Sequence, residues 1–250
     1  MKKTFLSITL LVLGAVSTLA QTKINQTFDV KSFDELNLIF EYPELVQVKV
    51  WDGNDVKIEG TVNIQNGEFD EDFQIKSSSR NGEFTIESSI KDLKKKRGNY
   101  SVYTHSDDDD DDDTSVTVSS KGTTINVGSR KNGTYRNGIN ISIELVVTIP
   151  RNMKVMLDAR YGLVEVHESP KALEVDARYG GVDVTINESQ SIAFDASTQW
   201  GQIFTNLDVP IKMGGDDGMG KWMRAKASLK KGDNQLSVES QYGNVYLRKN

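Results

Sequence analysis

The stretch Asp158-Ala159-Arg160-Tyr161-Gly162-Leu163-Val164-Glu165-Val166 returns almost unchanged 18 residues later as Asp176-Ala177-Arg178-Tyr179-Gly180-Gly181-Val182-Asp183-Val184. Looser copies contain Trp200-Gly201 and Tyr242-Gly243. A segment that recurs at a nearly fixed interval is typical of a repeat architecture, in which each copy is one supersecondary unit. This repeat therefore predicts a fold built from stacked copies of one unit.

Each copy alternates apolar and polar residues, which is the pattern of a half-buried β-strand. Extended through the copy, the alternation places the aromatic residue on the inner face and the acid and arginine on the outer face. The predicted inner aromatics are Tyr161, Tyr179, Trp200 and Tyr242, and the predicted outer charges are Asp158, Arg160, Asp176 and Arg178. A glycine follows each aromatic, at Gly162, Gly180, Gly201 and Gly243, as expected where the chain bends sharply between two strands. The predicted unit is strand, glycine corner, strand.

The aromatics of the copies lie 18, 21 and 42 residues apart, and the longest interval suggests a further, degenerate copy between Trp200 and Tyr242. Stacked units of this length predict an all-β fold, a β-solenoid similar to a single-stranded β-helix. Equivalent residues would lie roughly 4.8 Å apart, so that Tyr161, Tyr179 and Trp200 would stack inside. A β-sandwich with repeated hairpins is the alternative.

The first twenty residues indicate an exported protein. Lys2-Lys3 precede an apolar segment from Phe5 to Leu19, and Thr18-Leu19-Ala20 provides small residues where a signal peptidase cleaves. This is the pattern of a secretory signal peptide, and no later segment reaches the roughly 20 apolar residues of a membrane-spanning helix. We therefore expect a mature chain from about Gln21, located in the periplasm, at the cell surface or outside the cell, and not integral to the membrane.

The composition of the chain excludes some kinds of chemistry and some kinds of partner. The chain contains no cysteine, which excludes disulfides and thiolate chemistry. Without Lys2 and Lys3 the formal net charge changes from −6 to −8, and an acidic surface disfavours nucleic acid as a partner.

The rest of the chain divides into three parts. Residues 21–93 alternate strictly and predict the N-terminal strands of the same domain. Residues 94–138 form a low-complexity insertion with the run Asp107 to Asp113, expected to be disordered apart from short strands at Val116 to Val118 and Thr124 to Val127. Residues 139–250 return to alternation and contain the repeats.

The chain resembles a bacterial adhesin family that carries a head-GIN-like β-strand-repeat domain. The resemblance rests on the export signal, the alternating N-terminal strands, Val147-Thr148-Ile149-Pro150, the Tyr-Gly-x-Val corners and the ending Tyr242-Gly243-Asn244-Val245-Tyr246-Leu247-Arg248-Lys249. It covers most of the mature chain and implies a right-handed β-solenoid on an exported protein. The family name points to adhesion rather than to an established activity.

Several side chains are candidates for chemistry. Asp158, Asp176, Asp195 and Glu239 would form an outward carboxylate row beside Arg160 and Arg178, and pairing with arginine would lower the pKa of the acids. A carbohydrate-active enzyme that uses such acids is one alternative. The aspartate run lacks the glycine and apolar residues that fold carboxylates around Ca²⁺, and we expect it to be solvated.

Other sequence motifs lack part of a known site. Gly215-x4-Gly220-Lys221 has Trp222 where a phosphate loop needs Ser or Thr, and His105 and His167 have no second histidine nearby. Phe204 and Tyr246 face outward, and with Trp51 and Trp222 they could contact a glycan or a protein. We therefore predict no catalytic residue, metal or cofactor, and expect a binding scaffold for a protein or polysaccharide of the cell envelope. A structural or stress-related envelope component is the third possibility.

Overall fold

The protein is described by a computed structural model that covers residues 21–96, 100–104, 116–120, 123–127, 134–215 and 222–250. Regular structure in these residues is almost all β, which confirms the predicted class. The strands are β1 (Thr22–Asp29), β2 (Glu35–Phe40), β3 (Leu45–Trp51), β4 (Asp55–Ile64), β5 (Phe73–Arg80), β6 (Glu83–Ile90), β7 (Tyr100–Thr104), β8 (Val116–Ser120), β9 (Thr123–Val127), β10 (Thr134–Gly138), β11 (Ile141–Pro150), β12 (Lys154–Ala159), β13 (Leu163–Val166), β14 (Ala172–Ala177), β15 (Val182–Ile186), β16 (Ile192–Thr198), β17 (Ile203–Thr205), β18 (Lys212–Gly215), β19 (Met223–Leu229), β20 (Asn234–Ser240) and β21 (Val245–Lys249). Helical structure in the described residues is limited to 3₁₀ turns at Asp70–Asp72 and Leu93–Lys95. None of it is a helix long and apolar enough to cross a membrane.

Two mixed sheets form the body of the molecule. Sheet A has the order β1-β4-β11-β3-β13-β15-β21-β17, and sheet B has the order β18-β19-β16-β20-β14-β12-β2-β6-β5. From β12 to β15 the chain alternates between the two sheets. β12 pairs in parallel with β14, and β13 pairs in parallel with β15. In both pairs the partners are 18 residues apart, as Val155 and Leu173 show, which is the interval of the sequence repeat.

The order of strands in space differs from their order in the chain. β20 lies between β14 and β16, pairing in parallel with both. In the described residues, the 42-residue interval between Trp200 and Tyr242 therefore contains no further copy. It contains β17, β18 and β19, and the last copy inserts between the second and the third. The predicted extra copy was wrong. The two mixed sheets do not by themselves establish a right-handed β-solenoid, which stays a prediction.

The segment predicted as a disordered insertion contains more strands than expected. β8 and β9 lie where short strands were predicted, and with β7 and β10 they form a separate antiparallel sheet of order β10-β7-β8-β9. The Asp107 to Asp113 run lies outside the described residues, as does the proposed signal peptide at 1–20.

The inner faces of sheets A and B share one continuous hydrophobic core, because strand alternation turns every second side chain inward. Leu157 and Val175 show the pattern in sheet B, and Val164 and Val182 show it in sheet A; all four are almost fully buried. A buried leucine of this kind stabilises the fold by about 2–5 kcal/mol relative to alanine.

The corners between the sheets are closed by stacked glycines. A Cβ atom on Gly180 would lie 1.5 Å from the carbonyl oxygen of Gly162, one on Gly243 would lie 2.1 Å from that of Gly180, and one on Gly201 would lie 2.0 Å from that of Gly243. The carbonyl of one corner thus contacts the α-carbon of the next, and no side chain fits between them. Gly162 also has a φ of 87°, a conformation that glycine adopts without cost.

Two buried hydroxyl groups tie neighbouring corners together. The Ser240 hydroxyl donates to the Gly180 carbonyl at 2.8 Å and accepts the Gly243 N–H at 2.9 Å. The Thr198 hydroxyl does the same one strand further, donating to the Gly243 carbonyl at 2.8 Å and accepting the Gly201 N–H at 3.1 Å. Ser240 and Thr198 are fully buried, and each hydroxyl satisfies one backbone donor and one backbone acceptor of the corners.

Candidate functional site

The aromatic residues of the repeat point outward, which corrects the prediction that they lie inside. Tyr161 is 41% exposed, Tyr179 52%, Trp200 49% and Tyr242 49%. The alternation that buries Ala159 stops where β12 ends at that residue, so it cannot be extended across the bend to Tyr161. Large aromatic surface is therefore presented to solvent at the corner.

The exposed tyrosine rings stack on one another. Tyr161 and Tyr179 have centroids 5.1 Å apart, and Tyr179 and Tyr242 follow at 5.2 Å with nearly parallel planes. Tyr42, which the sequence analysis missed, extends the stack beyond Tyr161 at 5.5 Å. The backbone N–H of Trp200 donates to the Gln241 carbonyl, so Trp200 follows Tyr242 and not Tyr179 as predicted.

Stacking decides which parts of the rings a partner can touch. Tyr161 and Tyr179 each lie between two other rings, so both of their faces are covered. Their edges and hydroxyl groups are what a partner would meet. We use the name corner strip for Tyr42, Tyr161, Tyr179, Tyr242 and Trp200 together with Arg160 and Arg178, which precede two of these tyrosines.

The two arginines of the corner strip have different surroundings. Arg160 is half-buried and donates from Nη1 to Glu41 Oε1 at 2.7 Å. Arg178 is exposed, and its charge acts on the nearby Asp176 carboxylate. Arg178 is therefore the guanidinium of the strip more accessible to a partner.

A row of carboxylates runs beside the corner strip on the outer face of sheet B. Asp158 lies opposite Asp176, and Asp176 lies opposite Glu239. Partial burial and the charge of Asp158 raise the pKa of Asp176, and Arg178 lowers it by less. The expectation that arginine pairing would lower the pKa of this acid was wrong, because partial burial and the facing Asp158 together outweigh the charge of Arg178.

Asp195 does not belong to this row, although the sequence placed it there. It lies opposite Ser237, two positions before Glu239. Arg224 forms a short ion pair with it and Lys226 a second at 2.8 Å. Hydrogen bonding to Arg224 lowers the pKa of Asp195, so this acid is held ionised.

A groove of about 770 Å³ crosses the outer face of sheet B at the other end of the same strands. Small residues such as Ala172 and Ala193 form part of its floor, and Glu35 pairs with Lys154 at 2.9 Å on its side. Asp158 and Asp176 do not line it.

Phe204 and Tyr246 lie on the outer face of sheet A, as predicted. Their centroids are 5.2 Å apart and their rings are stacked. Arg248 lies 5.2 Å from the Tyr246 ring and donates from Nε to Asp183 at 2.7–2.8 Å. The sequence does not predict which way Trp51 faces. In the structure the Lys57 ammonium lies over its ring, 3.8 Å from the ring centroid.

The remaining sequence candidates lie partly outside the described residues, and those that are described assemble no site. Residues 216–221 of the glycine-rich loop and His105 lie outside the described residues. The Nε2 atom of His167 lies 4.0 Å from the Oε2 atom of Glu165. Within the described part of the chain, no group of three or more His, Cys, Asp or Glu side chains could hold a metal ion.

Comparisons with known proteins give low similarities. No protein-family model matches the chain, and no curated protein matches it. A crystal structure of a putative cell adhesion protein from Clostridium sporogenes ATCC 15579 is 12% identical, with a TM-score of 0.49 over 92% of this chain and 100% of that one. A putative adhesin from Bacteroides fragilis NCTC 9343 is 10% identical, with a TM-score of 0.24 over 93% of this chain and 99% of that one. Neither similarity establishes fold or function here, and the resemblance to the head-GIN-like family stays a prediction.

Proposed function

We propose that this chain is an exported, non-catalytic binding protein of the cell envelope, built on a right-handed β-solenoid, whose corner strip binds a protein or polysaccharide partner. The observation that carries the proposal is the stacked, half-exposed aromatic ladder. Tyr, Trp and Arg are the side chains enriched in the centres of binding interfaces. Tyr and Trp give large contact area with few rotatable bonds, and Arg gives a planar group with five hydrogen-bond donors. The corner strip consists of these three residue types.

The geometry of the strip suits an extended partner. Successive tyrosines repeat at 5.1–5.5 Å along the direction in which the strands stack. A polymer lying along this direction would meet the same ring edge and hydroxyl at every strand. Arg178 can add a charge-assisted hydrogen bond to a carboxylate or a hydroxyl of that polymer.

The experiment compares a Tyr161→Ser/Tyr179→Ser double variant with the wild-type chain for binding to isolated cell envelope. Met156→Ser is the matched control, because Met156 is also 49% exposed but lies outside the strip. We expect the double variant to bind at least about tenfold more weakly, the effect of about 1.4 kcal/mol, and the control to bind normally. Equal binding by all three proteins would contradict the proposal.

Treating the cell envelope with periodate or with protease before the binding assay identifies the chemical class of the partner. Periodate destroys a polysaccharide partner, and protease destroys a protein partner. Surface protease shaving of intact cells shows whether the chain is periplasmic or exposed at the cell surface.

A carbohydrate-active enzyme is the second candidate, and one observation favours it. Asp158 and Asp176 face each other, and the pKa of Asp176 is raised, as in glycoside hydrolases that use one protonated and one ionised carboxyl group. Against it, this pair lies outside the groove of sheet B. Turnover of a polysaccharide panel that falls in Asp158→Asn and Asp176→Asn variants would establish catalysis and overturn the non-catalytic proposal.

A further inference from the structure

The stacked pair Phe204 and Tyr246 differs from the tyrosine ladder in one respect: it stops at the edge of a sheet. Tyr246 lies opposite Asp183 on one side and Phe204 on the other, so only two rings stack. β17, which carries Phe204, is the last strand of sheet A.

Among the described strands, none of sheet A lies beyond β17, so one face of the Phe204 ring has no neighbouring strand. The Tyr246 ring covers the other face at 5.2 Å, with an angle of 15° between the planes. Phe204 is 44% exposed. Tyr161 and Tyr179, by contrast, have rings on both faces. A flat ligand can stack on Phe204 but not on these two tyrosines.

Amide groups flank the open ring. Gln202 and Asn206 lie two residues before and after Phe204 and are both exposed. The Asn206 side-chain oxygen accepts the Lys249 N–H at 2.7 Å, which leaves its amide N–H groups as donors. Asn244 is also close, because its side-chain oxygen accepts the Gln202 N–H at 2.9 Å. These groups suit a ligand that carries hydroxyl groups around a flat apolar face.

The charges nearby neutralise one another. Asp183 pairs with Arg248 at 2.7 Å, and Lys249 pairs with both Asp208 and Glu188. A charged ligand would have to compete with these ion pairs, whereas an uncharged ligand would not. The surroundings of Phe204 thus favour a neutral, polar ligand.

From this geometry we propose that Phe204 stacks against a pyranose ring of an uncharged glycan, with Gln202 and Asn206 bonding its hydroxyl groups. The face of an aromatic ring carries negative charge density, and the C–H groups of a pyranose face carry the complementary partial positive charge. A second copy of the chain is a poorer occupant. The three residues of β17 cannot supply the roughly 800 Å² per partner of a stable interface. This site is independent of the corner strip.

The test titrates the mature chain with neutral oligosaccharides built from glucose, mannose, galactose, xylose and N-acetylglucosamine, followed by calorimetry and by NMR shifts. Phe204→Leu keeps an apolar side chain but removes the ring face, and Phe204→Trp keeps the face. We expect at least one oligosaccharide to shift the Phe204 and Tyr246 resonances. Phe204→Leu should bind it about tenfold more weakly, with an unfolding temperature only about 2–4 °C lower because the stack on Tyr246 is lost, and Phe204→Trp should bind it at least as well as wild type.

The control is Met156→Ser, which lies on sheet B and should bind the oligosaccharide as wild type does, and the Tyr161→Ser/Tyr179→Ser variant of the corner strip is titrated in parallel. If no oligosaccharide binds the wild-type chain, or if Phe204→Leu binds equally well, the Phe204 proposal is overturned while the corner strip is untouched. If only the tyrosine variant loses oligosaccharide binding, the glycan site is the corner strip and the Phe204 proposal is also overturned.

Discussion

Replacing Gly180 by alanine tests the stacked corners with the smallest possible change. The added Cβ atom would lie 1.5 Å from the Gly162 carbonyl oxygen, whereas ordinary contacts begin at 3.4 Å. The two corners would have to separate by about 2 Å, since the obstructing atom belongs to the backbone and cannot rotate away.

The cost follows from the interactions that this separation breaks. The Tyr179 N–H donates to the Arg160 carbonyl, and the Val164 N–H donates to the Gly181 carbonyl, both at 3.0 Å. Each hydrogen bond contributes about 1 kcal/mol, and the Tyr161–Tyr179 stack contributes about as much again. We expect a loss of about 3 kcal/mol in the free energy of unfolding, less about 0.5 kcal/mol from the stiffer unfolded chain. In a chain of this size the unfolding temperature should fall by about 5–10 °C.

Thermal unfolding followed by circular dichroism measures this difference. Gly214→Ala is the matched control, because a Cβ atom there would meet nothing within 4 Å, and its unfolding temperature should stay within a degree or two of wild type. If Gly180→Ala unfolds at the same temperature as Gly214→Ala, the stacked corner geometry is refuted.

Three further predictions concern side chains near the corner. Burial and the charge of Asp158 raise the pKa of Asp176 in the folded state above its unfolded value. The folded state therefore loses stability as pH rises through that pKa. Asp176→Asn should raise the unfolding temperature at pH 7, and this gain should vanish below about pH 4, where both states are protonated. Ser240→Ala removes the bridge between corners and leaves the Gly243 N–H without its partner, so chemical denaturation should show a loss of about 1–3 kcal/mol. Arg178→Ala should leave the unfolding temperature within about 2 °C of wild type, because its side chain is exposed, and should weaken partner binding.

Each of these predictions has an outcome that contradicts it. An Asp176→Asn variant whose effect on stability is the same at every pH would remove the charge argument for the carboxylate row. If the free energy of unfolding of Ser240→Ala equals that of wild type, the hydrogen bonds of the Ser240 hydroxyl do not stabilise the fold. An Arg178→Ala variant that fails to fold would make this arginine a structural residue and not a binding residue.

The sequence predicts local structure well in this chain. Strict alternation identified buried positions such as Leu157 and Val175, and the glycine after each aromatic marked the bends. These features depend on neighbours along the chain. The short strands β8 and β9 also lie where the sequence predicted short strands within the insertion.

Features that depend on distant parts of the chain could not be predicted. The parity that holds within β12 ends at Ala159, so the orientation of Tyr161 is set by the bend and not by alternation. The insertion of β20 between β14 and β16 is a long-range pairing that no local pattern encodes. Tyr42 was missed because Pro43, and not glycine, follows it, although Glu41-Tyr42 occupies the place of Arg160-Tyr161.

Site-specific photo-crosslinking in intact cells tests whether the partner lies along the corner strip. A benzophenone amino acid would replace Tyr179 in one variant and Met156 in another, and the crosslinked products would be compared. We expect a discrete crosslinked product from position 179 and none from position 156. A product from position 156 alone, or from neither position in cells that retain binding, would contradict it.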